Sequence, residues 1–355
     1  MSSMESSMSD ERPSPMDEND KHMAGSLPAD PMADAKPANR EAAKIIALRN
    51  SRPQVFSVAE LFQKIVDEAN LAPPLMGLST GHHKLDKWLC GLRPMNITTL
   101  GARTSFGKTS KALQIADLAM GASKNVLFVS GEDSALLCGK RFMARRARVN
   151  ALRLRSNQCH PHEKLSMEQA LLAAEKSPFL MDAIGIPVED IAAEIRERAK
   201  TDRIDLVIVD YLQCFSVRRR NQDRRNEITY IAKTVSDTIK NINAAGLLLS
   251  QMKRPDGGNP NKPPTMFELK ESGDIENASE HILIGHIEDN NGVRTRKIKV
   301  EKNKDGPVPD KWLDMPFDDV TASFNQVKSE SFGDTGDDDY GVFQTLGSGG
   351  GGGDY

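Results

Sequence analysis

The chain has 355 residues, 38% of them hydrophobic and only 5% aromatic, enough for one large domain with unstructured flanks or for two small ones. A formal net charge of −3 excludes a uniformly basic nucleic-acid coat, so any contact with nucleic acid falls to local patches. No run approaches the roughly 20 apolar residues that cross a bilayer, and no basic-then-apolar segment opens the chain; a soluble cytoplasmic protein is expected, in a cell or in a virus-infected host, with no membrane partner.

Four cysteines, Cys90, Cys138, Cys159 and Cys214, form no CxxC pair, a pattern of reduced thiols rather than of a disulfide framework. Cys159, His160 and His162 lie close together, but a closed zinc site takes about four ligands and no second cluster completes it.

Along the chain, residues 1–50 are rich in Ser, Met, Asp, Glu and Pro. Such a leader buries too little surface to offset its ordering entropy and is expected to be disordered. Within 51–75, Val58, Leu61, Phe62, Ile65 and Val66 recur at helical spacing, and Ala72-Pro73-Pro74 ends the predicted helix. From 76 to 325, apolar runs at 97–100, 126–130, 179–181, 206–209, 247–249, 282–287 and 297–300 alternate, in the earlier part, with helical patterns such as 108–122 and 188–200. This alternation predicts an α/β fold, a mostly parallel twisted sheet flanked by helices. Asn290-Asn291-Gly292 between the last two runs predicts an antiparallel edge hairpin. Residues 326–355 are acidic and Gly-rich, a flexible tail that either docks on basic patches of partners or merely solubilises.

The strongest chemical signal is Gly101-Ala-Arg-Thr-Ser-Phe-Gly-Lys-Thr-Ser110, set between a strand and a helix as a P-loop requires. Backbone N–H groups from Arg103, Thr104, Ser105, Phe106, Gly107, Lys108, Thr109 and Ser110 are expected to cradle the phosphates of ATP at a helix N-terminus. Gly107 permits close approach, Lys108 neutralises the β- and γ-phosphates, and the Thr109 hydroxyl suits Mg²⁺. Ala102 replaces the first glycine of the strict pattern. Asp210 ends the apolar run Leu206-Val-Ile-Val and is the second expected magnesium ligand, against the plain reading of a solvated or capping Asp. Glu132 follows the run ending at Ser130 and is the candidate general base, while Asp133 or Ser134 caps the next helix. Gln251, at the end of Leu247-Leu-Leu-Ser, is placed to hydrogen-bond the γ-phosphate or the attacking water.

These motifs, in this order, resemble the C-terminal motor domain of DnaB-type replicative helicases. The resemblance runs from Thr80-Gly81-His-His-Lys-Leu85-Asp86 and Gly91-Leu92 through the P-loop, Ser130-Gly131-Glu132, Val209-Asp210-Tyr211-Leu212-Gln213 and Leu249-Ser250-Gln251. It closes with Leu269-Lys-Glu-Ser-Gly-Asp-Ile-Glu276 and Lys302-Asn-Lys-Asp-Gly-Pro307. It covers roughly residues 55–325, and the family shares the alanine at position 102.

The resemblance implies a RecA-like P-loop NTPase core in a six-membered ring with ATP at each subunit interface, translocating 5′→3′ on single-stranded DNA and unwinding duplex in replication. By it, the helix within 51–75 docks on the neighbouring subunit. Lys270, Glu271 and Gly273 belong to the loop that grips the DNA backbone, and such a loop tracks phosphates without reading sequence. Lys302 and Lys304 are the cations that reach the neighbour's γ-phosphate, although the family usually has Arg where this chain has Lys304. Arg218, Arg219 and Arg220, with Arg224 and Arg225, lie where such motors carry a channel-facing loop; a path for nucleic acid and a solvated loop with charge pairs are equal readings. Replicative members also carry an N-terminal helical domain that recruits primase. The short polar leader here suggests a phage or mobile-element member without it. Two other classes share the core: a filament-forming strand-exchange ATPase of the RecA or RadA kind, and a non-processive regulatory or loader ATPase.

Overall fold

The computed structural model describes residues 56–70, 77–174, 179–218, 223–253, 262–269, 272–290 and 292–328. The leader expected at 1–50, most of the tail, and Arg219, Arg220, Lys270, Glu271 and Asn291 lie outside them. The described chain begins with helix α1 (Val58–Ala69). Its stripe faces solvent, with Val58 65%, Phe62 63% and Ile65 60% exposed.

Beyond it, α2 (His83–Leu89) leads into β1 (Ile97–Ala102), α3 (Lys108–Gly121), β2 (Val126–Ser130), α4 (Ala135–Ala147), α5 (Ala151–Arg155) and α6 (Pro161–Leu172). Then follow β3 (Leu180–Asp182), α7 (Val188–Thr201), β4 (Leu206–Asp210), α8 (Arg224–Asn241) and β5 (Ala245–Gln251). After α9 (Ser272–Ala278) come β6 (His281–Asn290), β7 (Val293–Asn303), β8 (Leu313–Asp314), β9 (Phe317–Asp318) and β10 (Ser323–Phe324). Eight strands form one sheet in the order β3-β2-β4-β5-β1-β6-β7-β8, and β9 pairs with β10 separately. All pairs from β3 to β6 are parallel, while β6–β7 and β7–β8 are antiparallel.

Every residue of β1, β2 and β4 is buried, as expected of strands covered on both faces. Alternation within each strand divides the core. Phe128, Leu206, Ile208, Leu247 and Leu249 pack with α2 and α3, whereas Leu127, Val129, Val207, Val209 and Leu248 pack with α7 and α8. Each such side chain contributes on the order of 1.5–3 kcal/mol by leaving water.

The predicted strands are present, the one at 126–130 with its predicted bounds and the others with shifted ends. The last two are much longer than their apolar runs, because ladder pairing continues through polar residues of an exposed hairpin. Its reversal uses Gly292, at φ 87°, whose amide donates to Asp289. The hairpin forms the antiparallel edge of the sheet, extended by the two-residue β8 on its outer strand. The folded body also extends past residue 325: the Val327 amide donates to the Gly81 carbonyl, and the His83 amide to that of Val327.

Candidate nucleotide site

Parallel pairing brings the candidate residues to one edge. Ser130 is level with Asp210 and Ala102 with Gln251, so Glu132, Asp210, Gln251 and the P-loop all emerge at the C-terminal ends of adjacent strands, where open α/β sheets bind ligands. Gly107 takes φ 96° as N-cap of α3, a left-handed conformation that favours glycine. Lys108 Nζ donates to the Ala102 carbonyl at 3.0 Å, back across the loop. Burial lowers the Lys108 ammonium from its ordinary value, and the Asp210 and Glu132 carboxylates oppose that shift.

Thr109 Oγ1 donates to Asp210 Oδ2 at 2.6 Å, while Asp210 Oδ1 is buried without a hydrogen-bond partner. Burial pushes the Asp210 carboxyl up to about 6, against the hydrogen bond from Thr109. A hydroxyl joined to a carboxylate with one unsatisfied buried oxygen is the hard-oxygen set that suits a magnesium ion. Ser134 caps α4 and Asp133 pairs with Arg141. Glu132 remains exposed beside them, near enough for its charge to act on both Lys108 and Asp210.

The rest of the P-loop divides by role. Thr104 and Ser105 are exposed and Ser110 half-buried. Phe106 is 1% exposed, with its ring against Phe324, so its side chain belongs to the core and only its backbone faces the loop. The Arg103 guanidinium turns from the loop to Glu268 and to the Lys262 carbonyl, leaving only its backbone toward the loop. A cavity of about 280 Å³ opens between residues 103–106 and the β6–β7 pair, lined also by His286 and Asp289.

Gln213 belongs to the site although no motif gave it a task. It donates to Ser250 Oγ at 2.9 Å and accepts from the Gln251 amide at 3.2 Å, fixing the end of β5 relative to the exit of β4. The Arg224 guanidinium, bonded to the carbonyls of Gln213 and Phe215, ties down the same turn. A lone amide side chain after a strand carries no pattern from which such a bridge is legible.

Lys302 and Lys304 are not brought to this edge. The Lys304 amide bonds the Glu280 carbonyl, and the Glu280 amide bonds that of Ile97, so Lys304 is level with the start of β1. Ala102 lies at the other end of that strand, about 16 Å away at roughly 3.3 Å per residue, well beyond a lysine's reach. Lys302 Nζ donates to the Glu276 carbonyl at 2.7 Å. Arg218 pairs with Asp190 at the start of α7. Gly273 sits in the first turn of α9. His160 caps α6, and Glu163 bonds the His160 amide and Arg153, so that histidine has a structural task. No group of three or more metal-ligating side chains occurs among the described residues, nor does any helix among them have the length and apolarity to cross a membrane.

The chain resembles known proteins in sequence and fold. The model of the DnaB-like helicase C terminal domain matches residues 77–326. The chain is 27% identical over 243 residues to the replicative DNA helicase DnaB of Geobacillus stearothermophilus, covering 66% of this chain and 53% of that protein. It is 29% identical over 251 residues to a probable plasmid replicative DNA helicase of Chlamydia trachomatis, covering 70% and 54%. The chain thus spans just over half the length of these curated relatives. Among solved structures, an isolated ATPase domain superposes with a TM-score of 0.71 at 22% identity, covering 78% of this chain and all of that one. A DnaB-like replicative helicase studied for its interactions with primase gives 0.68 at 22% identity, over 82% and 73%. Both likenesses establish the RecA-like fold.

Proposed function

Because the chain belongs to the family of DnaB-like helicase C-terminal domains, we propose that it is an ATP-driven motor that assembles as a ring, translocates on single-stranded DNA and unwinds duplex during replication. The observation that carries this reading is the division of the site across the sheet. The P-loop, Glu132, Asp210 and Gln251 stand at one edge, and the Lys302–Lys304 pair stands at the other. A cation pair so far from its own P-loop suits the site of an adjacent copy, and six-fold closure of that contact is the ring. The exposed stripe of α1 supplies a second contact surface of the kind that a neighbour covers.

In this reading Lys108 turns from the Ala102 carbonyl to the β- and γ-phosphates, and the loop amides hold the triphosphate in place. Thr109 and Asp210 would hold magnesium, which would supply positive charge against the phosphates. Glu132 accepts a proton from the attacking water, and Gln251, steadied by Gln213, senses the γ-phosphate. Lys302 and Lys304 of the adjacent copy stabilise charge on the transferred group; without the guanidinium fork, Lys304 acts as a point charge. Lys270, Glu271 and Gly273 contact the DNA backbone. Arg218, paired with Asp190 at the surface, joins Arg219 and Arg220 along the path for the strand.

Electron microscopy with ATP and single-stranded DNA tests the assembly. Closed six-membered rings are expected. Long helical filaments would instead favour a strand-exchange protein, and ATP turnover indifferent to single-stranded DNA would favour a regulatory or loader ATPase.

A further inference from the structure

Arg103 leaves the P-loop sideways. Its guanidinium bonds Glu268 Oε2 at 2.8 Å and the Lys262 carbonyl at 3.0 Å, in a pair whose side chains are only 16% and 25% exposed. A charged pair also fixed to a backbone carbonyl has a defined geometry, unlike a solvated surface pair. The next residue, Leu269, sits on the strand that feeds the loop: a Cβ at Gly101 would lie 2.3 Å from Leu269 Cδ2, so glycine alone admits this contact. Backbone bonds close the joint, from Met252 to Ala102 and from Lys253 to Glu268. The base of the P-loop, the exit of β5 just past Gln251, and the segment 262–269 therefore meet in one place. That segment continues within three residues into α9, whose Glu276 carbonyl holds Lys302.

We propose that Arg103 and Glu268 are positioning residues that couple the nucleotide site to DNA: their ion pair, with Leu269 seated on Gly101, relays occupancy of the P-loop to α9 and so sets the affinity for single-stranded DNA. The inference rests on the reading of this chain as a DNA-dependent motor and deepens it. Coupling requires an element whose position both ligands bias. The joint is such an element, bonded to the P-loop on one side and covalently continuous with α9 on the other. A simple brace would share the contacts but would lower stability without changing how one ligand alters the response to the other.

The test uses the full chain with E268Q and E268D. ATP turnover is measured with and without a poly-dT oligonucleotide, and affinity for that oligonucleotide is measured with a non-hydrolysable ATP analogue and with ADP. E268Q is expected to keep basal turnover within about twofold and to lose at least about fivefold of both the DNA stimulation and the ATP-over-ADP preference, with E268D recovering most of the loss. E268Q with both ratios at the wild-type level, whatever its stability, overturns the proposal and leaves the motor reading intact. A wild-type protein whose turnover ignores DNA overturns the motor reading, and the coupling with it.

Discussion

In the proposed motor Lys108 and Glu132 divide the chemistry of hydrolysis between binding and proton transfer, and their surroundings differ accordingly. Lys108 is largely desolvated at the head of α3 and anchored to the Ala102 carbonyl, so its positive charge is held where phosphate oxygens would be. Lys108→Ala is expected to lower ATP turnover by at least about 10²-fold and to weaken nucleotide binding. Glu132 stands exposed at the end of β2, close to the Thr109–Asp210 pair but outside it. Glu132→Gln is expected to preserve nucleotide affinity while turnover falls by about 10²–10⁴-fold; rapid-quench hydrolysis beside equilibrium binding of a fluorescent ATP analogue separates the two. Full turnover in Glu132→Gln would remove the assignment of the base. Among single residues, the sequence is most legible where a side chain's position follows from a strand end, as for Asp210. It is least legible where a side chain can turn. Arg103 sits in the P-loop by position but reaches Glu268, 165 residues onward, and no local pattern encodes that partner.

Among the elements, α2 carries the clearest dependence on pH. His82 is its N-cap and accepts from the Lys84 amide through Nδ1. Burial, with the nearby charges of His83, Lys111 and Lys84, pushes the His82 imidazole down to about 4. A histidine depressed in the folded state supports the fold above its ordinary value near 6.5. That support is lost as pH falls from about 6.5 to 4, amounting to at most about 3 kcal/mol. His82→Asn retains a capping acceptor but cannot titrate. Its melting temperature is expected to fall less than that of the wild type between pH 7 and pH 5, by differential scanning calorimetry; parallel curves would place the acid sensitivity elsewhere. The elements themselves follow from the sequence unevenly. Buried parallel strands such as β4 announce themselves as apolar runs bounded by polar residues. The strands β8, β9 and β10 are two residues long and owe their existence to tertiary contacts, such as Phe324 on Phe106 and Phe317; periodicity does not reveal them.

For the whole molecule, the proposed ring puts each catalytic centre between two copies. The apolar stripe of α1 is then an interface, with Phe62 and Ile65 at 63% and 60% exposure in the single chain. Phe62→Asp with Ile65→Asp is expected to shift sedimentation from a hexameric to a smaller species and to lower DNA-stimulated turnover, with the melting of the core little changed because the stripe is exposed in the single chain. Unaltered sedimentation would remove α1 from the interface. In the proposed ring Lys302 and Lys304 make the same point from the opposite end of the strands, completing a site in a neighbour. A motor of this kind is tested most sharply by unwinding of a forked duplex by the wild-type chain with ATP, run with either arm as the single-stranded loading strand. ATP-dependent strand separation favouring 5′→3′ travel, and its loss in Glu132→Gln, is the expected result; rings that hydrolyse ATP yet separate neither fork would contradict it.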